Sequence, residues 1–283
     1  MSGLGLGLGL GLGAHRKVGG VKLDPATVAY IQRVEADGGN VINQVLTDSI
    51  IKAIKADDAW GNVHSIYTSI SGIKLDSSNY VTKLYDVMGA TNDLISAGTT
   101  NKPQHDVVAQ RMNGLPVITF VAADSQFLFS DTIANTNNNG QIIAIYNAPS
   151  ALRMAISGGY ITNSSFGMDA NGRLFSGLYY VVGNSCEPSQ TGKKIASIRF
   201  YGGLDSPQYE DNDINVNGQL IGKDRSTQQR AAERLQIGAA YSGSPLVTSM
   251  YWNGDIAAHI TFNTAPASIA ATYQKLNEIF AIY

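Results

Sequence analysis

The stretch YEDNDIN sets three carboxylates within four positions, Glu210, Asp211 and Asp213. Read as a strand, it places Asp211 and Asp213 at i and i+2, on the same side and roughly 6–7 Å apart. A paired acid and base at about 6.5–9.5 Å can hydrolyse a glycosidic bond with a water held between them, and a pair at about 5 Å can do so through a covalent intermediate. The same hard oxygens would suit calcium, with Asp211 and Asp213 as its ligands. A solvated acidic turn ahead of a hairpin at 214–221 needs no ligand, and residue type favours that reading.

Other chemistries find less support. His15, His64, His105 and His259 are scattered and show no HxxxH spacing for a metal. Ser164 and Ser165 sit in no Gly-x-Ser-x-Gly elbow. The Gly-x-Gly pieces near the start precede no helix that could cradle a phosphate. Cys186 is the single cysteine, so no internal disulfide framework exists, and a small buried or loop thiol is the expected role. Apart from calcium at Asp211 and Asp213, no cofactor is expected. Aromatic residues among amides and carboxylates could instead stack against sugar rings. Tyr201, Tyr209, Tyr241, Tyr251 and Trp252 are the candidate aromatics, with Asp205 and Asn212 nearby, and the last four of these aromatics are the ones carried forward. Aromatics in strands more often fill a core.

The elements that would carry these residues can be read from composition and period. In 283 residues, 44% are hydrophobic and only 15% charged, with 30 glycines. That mixture suits short strands and tight turns. The net charge of −2 favours neither nucleic acid nor an anionic membrane, and no run of 18 apolar residues predicts a transmembrane helix. Asp24-Pro25 is a helix start, followed by Val28, Ile31 and Val34 at helical spacing. A second helix is read over 40–60, with Val41, Val45, Ile50, Ile51 and Ile54 as its stripe, and a short further element at 63–69. From about residue 80, alternating runs are divided by turns at Asn113-Gly114, Asn139-Gly140, Asn171-Gly172, Asn217-Gly218 and Asn253-Gly254. The runs lie at 116–122, 141–148, 152–161, 177–183, 194–203, 213–222, 234–242 and 252–263, a pattern that predicts a sandwich of short strands. A final helix is read from 266 onward, with Ile269, Tyr273, Leu276 and Phe280 on one face.

The segment MSGLGLGLGLGLGAHRK stands apart. Extended, it has period two, with Leu4, Leu6, Leu8, Leu10 and Leu12 on one face and bare backbone on the other. Its basic residues follow the apolar run, which is the reverse of a secretion signal, so none is expected. Glycine loses the most entropy on ordering. Holding such a strand in place therefore requires neighbouring polypeptide, and the five leucines are read as an anchor for assembly.

KLYDVMGATNDLISAGTTNKPQHD, followed by NGLPVITFVAADSQFL, resembles the opening region of concanavalin A-like, laminin-G-type jelly-roll domains. The matching residues are Tyr85, Asp86, Gly89, Asn92, Pro103, Phe120 and Asp124. DINVNGQLIG resembles the middle hairpin of such domains, and LQIGAAYSG with YWNGDIAAHITFN resembles the closing hairpin and its trailing helix. The resemblance covers about residues 80–283. It lacks the Glu-x-Asp-x-x-Glu pattern of jelly-roll glucanases. Asp86 and Asp255 are expected to be structural, accepting backbone N–H groups at turns. The helical segment DPATVAYIQRVEADGG ahead of such a domain is similar to tail or fibre-like virion proteins of bacteriophages.

The resemblances imply a mainly β fold: a concanavalin A-like jelly-roll sandwich preceded by an extended N-terminal arm and a helical hairpin, with a C-terminal helix. The implied division is 1–22 anchoring arm, 23–72 helical connector and 73–283 jelly roll. The implied function is that of a structural, non-enzymatic bacteriophage virion protein, made in the host cytoplasm. Its arm would join other virion proteins, its copies would form a homo-oligomer, a trimer above other states, and its lectin-like domain would meet host-surface glycan. The alternatives are a glycan-active hydrolase on the same fold and a bacterial surface adhesin module.

Overall fold

The computed structural model describes residues 17–18, 20–96, 98, 100–107, 112–134, 140–150, 154–158, 166–169, 171–176, 189–200, 211–225, 233–241, 248–249 and 251–283. Within them the fold is mainly β, as the sequence predicts, with two large antiparallel sheets and three α-helices.

One sheet runs, in order, through Leu174–Ser176, Phe166–Met168, Met154–Gly158, Glu233–Ile237, Leu128–Ala134, Leu94–Ser96, Val81–Leu84, Gly72–Leu75 and Asn40–Val41. The other runs through Gln219–Arg225, Asp211–Val216, Gly192–Arg199, Gln141–Ala148, Gly254–Phe262, Val117–Phe120 and Gln104–Asp106, and Val63–Thr68 also pairs with Gly254–Phe262. Pairing is antiparallel throughout, so neighbouring strands can be joined by tight turns. Asn217 and Gly218, both at positive φ, make one such turn between Asp211–Val216 and Gln219–Arg225.

This second sheet is covered on both faces. Ile142, Ala144, Tyr146, Ile198 and Ile214 join Leu84, Leu94 and Leu128 of the first sheet in one core. Ile143, Ile145, Ile195 and Ile260 turn the other way and join helix residues in a second core. Alternate residues of one strand thus feed two cores, which is why QIIAIYNA reads as a nearly unbroken apolar run.

The helices are α1 (Pro25–Ala36), α2 (Gln44–Ala56) and α3 (Ala270–Phe280). Asp24 caps α1 by accepting from the Ala26 N–H. Residues 40–43, read from sequence as the start of the second helix, take another role. Asn43 caps α2 through the Leu46 N–H, and Asn40–Val41 pairs with Gly72–Leu75. Val41 is buried there, so its apolar character serves the sheet edge.

The segment from Tyr85 to Asp93 ties α1 to the sandwich. The Tyr30 hydroxyl donates to the Tyr85 carbonyl and accepts from the Gly72 N–H. Arg33 donates to both Asp93 carboxylate oxygens and to the Asp86 carbonyl. Asp86, wholly buried, accepts the N–H groups of Ile66 and Met88 and the Asn92 amide. Burial pushes its carboxyl up to about 7 against the pull of those donors. Asp255, also wholly buried, accepts from the Thr119 hydroxyl and the Asn147 amide, which joins three strands. Both carboxylates hold the fold; Asp86 does so through backbone N–H groups as expected, whereas Asp255 lies within the strand Gly254–Phe262 and takes side-chain donors across the sheet.

Candidate functional site

Among the described residues, a cleft of about 600 Å³ opens between the eight-stranded sheet and α3. Strand register builds its floor. Gln141 stands opposite Arg199, Arg199 opposite Asp213, and Ser197 opposite Asn215. Cross-strand partners share a face, so these five polar residues look the same way, while Ile198 and Ile214 between them point into the inter-sheet core. Tyr273, Gln274 and Asn277 of α3 and the turn ahead of it form the roof.

The roof is fixed at both ends by residues far away in sequence. Asp57, just past the end of α2, accepts from the Ala271 and Thr272 N–H groups and the Thr272 hydroxyl, which satisfies the N-terminus of α3. At the other end the Asn113 amide donates to the Ile279 carbonyl. Leu276, Ile279 and Phe280 are buried beneath. The cleft walls therefore belong to a packed unit with little freedom to collapse.

The lining is chemically mixed but electrically balanced. It carries one arginine and one aspartate, placed directly opposite each other, with amides and hydroxyls beside them and the apolar Pro266, Ala267, Ile269 and Ala270 ahead of and at the start of α3. Gln141, Ser197 and Tyr273 are themselves buried, and burial raises the Tyr273 phenol above its ordinary value. Such a surface offers fixed donors and acceptors to a polyhydroxyl ligand.

The residues singled out from sequence are distributed differently. Asp213 lies in the cleft. Trp252, read as a sugar-stacking candidate, is wholly buried between the sheets and meets Tyr146 edge-on at 5.5 Å, so it presents no face to solvent. Tyr251 packs with Phe127 on a separate small cluster, its ring 6.3 Å away. Leu4, Leu6, Leu8, Leu10, Leu12, Tyr209, Glu210 and Cys186 lie outside the described residues, as do the side chains of Asp211 and Tyr241. His64, His105 and His259 occupy three separate settings, and burial lowers all three. Among the described residues, no group of three His, Cys, Asp or Glu is placed to hold a metal ion, and no helix is long and apolar enough to cross a membrane.

Sequence reasoning missed most of the cleft. The alternations Ser197-Ile198-Arg199 and Asp213-Ile214-Asn215 do mark a polar face. Nothing in them shows that a helix from the far end of the chain roofs that face.

No family model and no curated protein matches this sequence. Solved structures do match the fold. Domain 4 of an extracellular GH43 arabinanase from Geobacillus stearothermophilus, in complex with arabinotriose, is similar over 76% of this chain and 98% of its own, with a TM-score of 0.51 and 10% identity. An arabinofuranosidase complexed with arabinofuranosyl-α-1,2-xylobiose aligns over 83% of this chain and 65% of its own, at 14% identity and a TM-score of 0.44. Trypanosoma rangeli sialidase in complex with 2,3-difluorosialic acid aligns over 83% of this chain and 39% of its own, at 12% identity and a TM-score of 0.43.

The arabinanase domain bears out the β-sandwich and corrects one expectation. The sequence reading gave a non-enzymatic protein, with a glycan-active hydrolase only as an alternative. The fold shared with the arabinanase domain is one that occurs within a carbohydrate-cleaving enzyme, so the non-enzymatic reading does not stand. Nothing in the comparisons supports a bacteriophage or other viral origin.

Proposed function

We propose that this chain is a glycan-interacting β-sandwich and that its sugar site is the cleft between α3 and the strands Gly192–Arg199 and Asp211–Val216. The single observation that carries this is the lining: convergent amides and hydroxyls, with one arginine facing one aspartate, on a floor set by strand register and under a roof capped at both ends. The arabinotriose held by the arabinanase domain of similar fold supports it.

Titration of the labelled full chain with arabinotriose, followed by amide NMR, tests the reading. Shifts are expected to concentrate in Gly192–Arg199, Asp211–Val216 and α3. Asn215→Ala is expected to weaken binding by about threefold to tenfold, the loss of one polar contact. Product analysis of the same mixtures reads any turnover. Saturating sugar that leaves these resonances unmoved would overturn the proposal.

The attachment role of segment 1–22 belongs to the same proposal, with virion proteins or further copies of the chain as its partners. Its support is the period-two leucine pattern. Native mass of the full chain beside a version lacking residues 1–20 checks it: the full chain is expected to assemble and the shortened one to lose assembly. Identical masses for both forms would refute self-assembly, and equal incorporation of both into particles would refute attachment.

A further inference from the structure

We infer that Tyr283 is an aromatic platform at the rim of the cleft and that the site takes a neutral saccharide in preference to an acidic one. This inference rests on the glycan reading above and names its specificity.

Tyr283 is 59% exposed yet firmly held. The Asn277 side chain accepts from the Ile282 and Tyr283 N–H groups at 3.1 and 3.0 Å and donates to the Tyr283 carbonyl at 3.0 Å. Three hydrogen bonds from one amide thus pin this backbone to α3. At its other end, the Tyr283 hydroxyl lies 3.5 Å from where a Cβ on Gly218 would stand. The ring therefore reaches from the roof to the Asn217-Gly218 turn, and both Tyr283 and Gly218 line the cleft.

An exposed tyrosine ordinarily keeps its rotamer freedom. Here the backbone is pinned and the hydroxyl end lies beside the Gly218 turn, so the ring has less freedom to lose when a ligand arrives. The hairpin adds apolar surface beside it. Leu220 is 55% exposed and is the register partner of Asn215, so it shares the cleft-side face of the sheet. A sugar ring has apolar C–H faces and hydroxyl edges. The apolar rim suits the faces, and the amide-rich floor suits the edges.

Charge gives the second half of the inference. The lining carries a formal +1 on Arg199 and −1 on Asp213, set against each other by register, and no further charged side chain. A carboxylate-bearing sugar would meet Asp213 as well as Arg199 and would gain no net attraction, while losing the hydration of its charge. A neutral ring escapes that loss.

Isothermal titration of the full chain with arabinotriose, xylobiose and 3′-sialyllactose tests both halves. The wild type is expected to bind the neutral sugars more tightly than sialyllactose. Tyr283→Ala should weaken neutral-sugar binding about tenfold, the scale of one lost aromatic contact. Tyr283→Phe, which keeps the ring face, should stay within about threefold of wild type. Wild-type affinity in Tyr283→Ala, or a Tyr283→Phe variant as weak as Tyr283→Ala, would overturn the platform. A preference for sialyllactose would overturn the neutral specificity. Either result leaves the glycan reading intact. A folded wild-type chain that binds none of the three sugars would instead sink that reading, and the platform with it.

Discussion

Gly254→Ala is expected to destabilise the fold by about 3 kcal/mol or more, from backbone strain and overpacking together. Gly254 follows Asn253 at the start of the longest strand and has φ +137°, a conformation L side chains rarely adopt. An added Cβ would stand 2.3 Å from the Asn147 carbonyl oxygen and 2.9 Å from Pro149 Cδ. The nearer atom is backbone, held in the ladder that pairs Asn147 with Asp255, so it cannot swing aside as a side chain could. Yielding would also disturb the Asn147 amide that donates to Asp255. A fall in Tm of roughly 5–10 °C is the expected readout for a chain of this size. Gly61→Ala serves as the control, because a Cβ there meets nothing within 4 Å, and its effect should stay within about 0.5 kcal/mol. A Gly254→Ala variant that melts with the control would refute the argument.

Acid should weaken the fold through His259. Its ring lies opposite Ala144 and Tyr67 in register, is 1% exposed, and has no hydrogen-bond partner on either nitrogen among the described residues. The nearest aromatic neighbour is the Tyr67 ring, 6.5 Å away, which carries no charge to favour an imidazolium. Burial alone lowers the folded-state pKa to about 3, from the usual 6.5. The unfolded chain takes its proton near 6.5 and the folded chain only near 3. Stability from this group is therefore fully present above pH 6.5 and is lost as the pH falls toward 3. The loss is about 1.4 kcal/mol per pH unit, or roughly 2 kcal/mol by pH 5.

Asp86 acts with the opposite sign. Its folded pKa of about 7 lies above the ordinary 3.8, so its contribution grows as the pH falls through that window. Raw pH curves of the wild type mix the two effects, and a comparison with His259→Leu separates them. That variant places an apolar group of similar size in an apolar setting and should fold at least as well at pH 7. Urea midpoints at pH 7 and pH 5 should show the wild type losing roughly 2 kcal/mol more than His259→Leu. Parallel losses in the two proteins would remove His259 from the account.

Much of the architecture was legible because it rests on local rules. Asp24-Pro25 starts α1, since an aspartate before a proline satisfies a free N–H while the ring presets the helix. The Asn217-Gly218 turn joins two strands where both residues can take positive φ. The role of Asp86 was equally readable, since a short carboxylate beside a turn accepts backbone donors, whereas the Thr119 and Asn147 side chains that meet Asp255 are set by cross-strand register. The strands Val81–Leu84, Leu94–Ser96 and Gln104–Asp106 were not marked out. At three or four residues each they are too short for an alternation to stand clear of their loops, and it is pairing with neighbouring strands that makes them strands.

The cleft shows where local pattern stops. Alternation along Ser197–Arg199 and Asp213–Asn215 separates a polar face from an apolar one, because successive side chains of a strand point to opposite sides. It does not say what covers either face. The roof arrives from α3, fastened by Asp57 more than 200 positions earlier, and the ring at its rim is set by Asn277. Trp252 and His259 make the same point from inside. Each sits in an ordinary-looking strand segment, yet packing puts the indole and the imidazole between two sheets. Period, caps and turn residues act over a few positions and can be read directly in the chain. Burial and site assembly depend on which distant surfaces exclude water from one another, and that is known only once the layers are stacked.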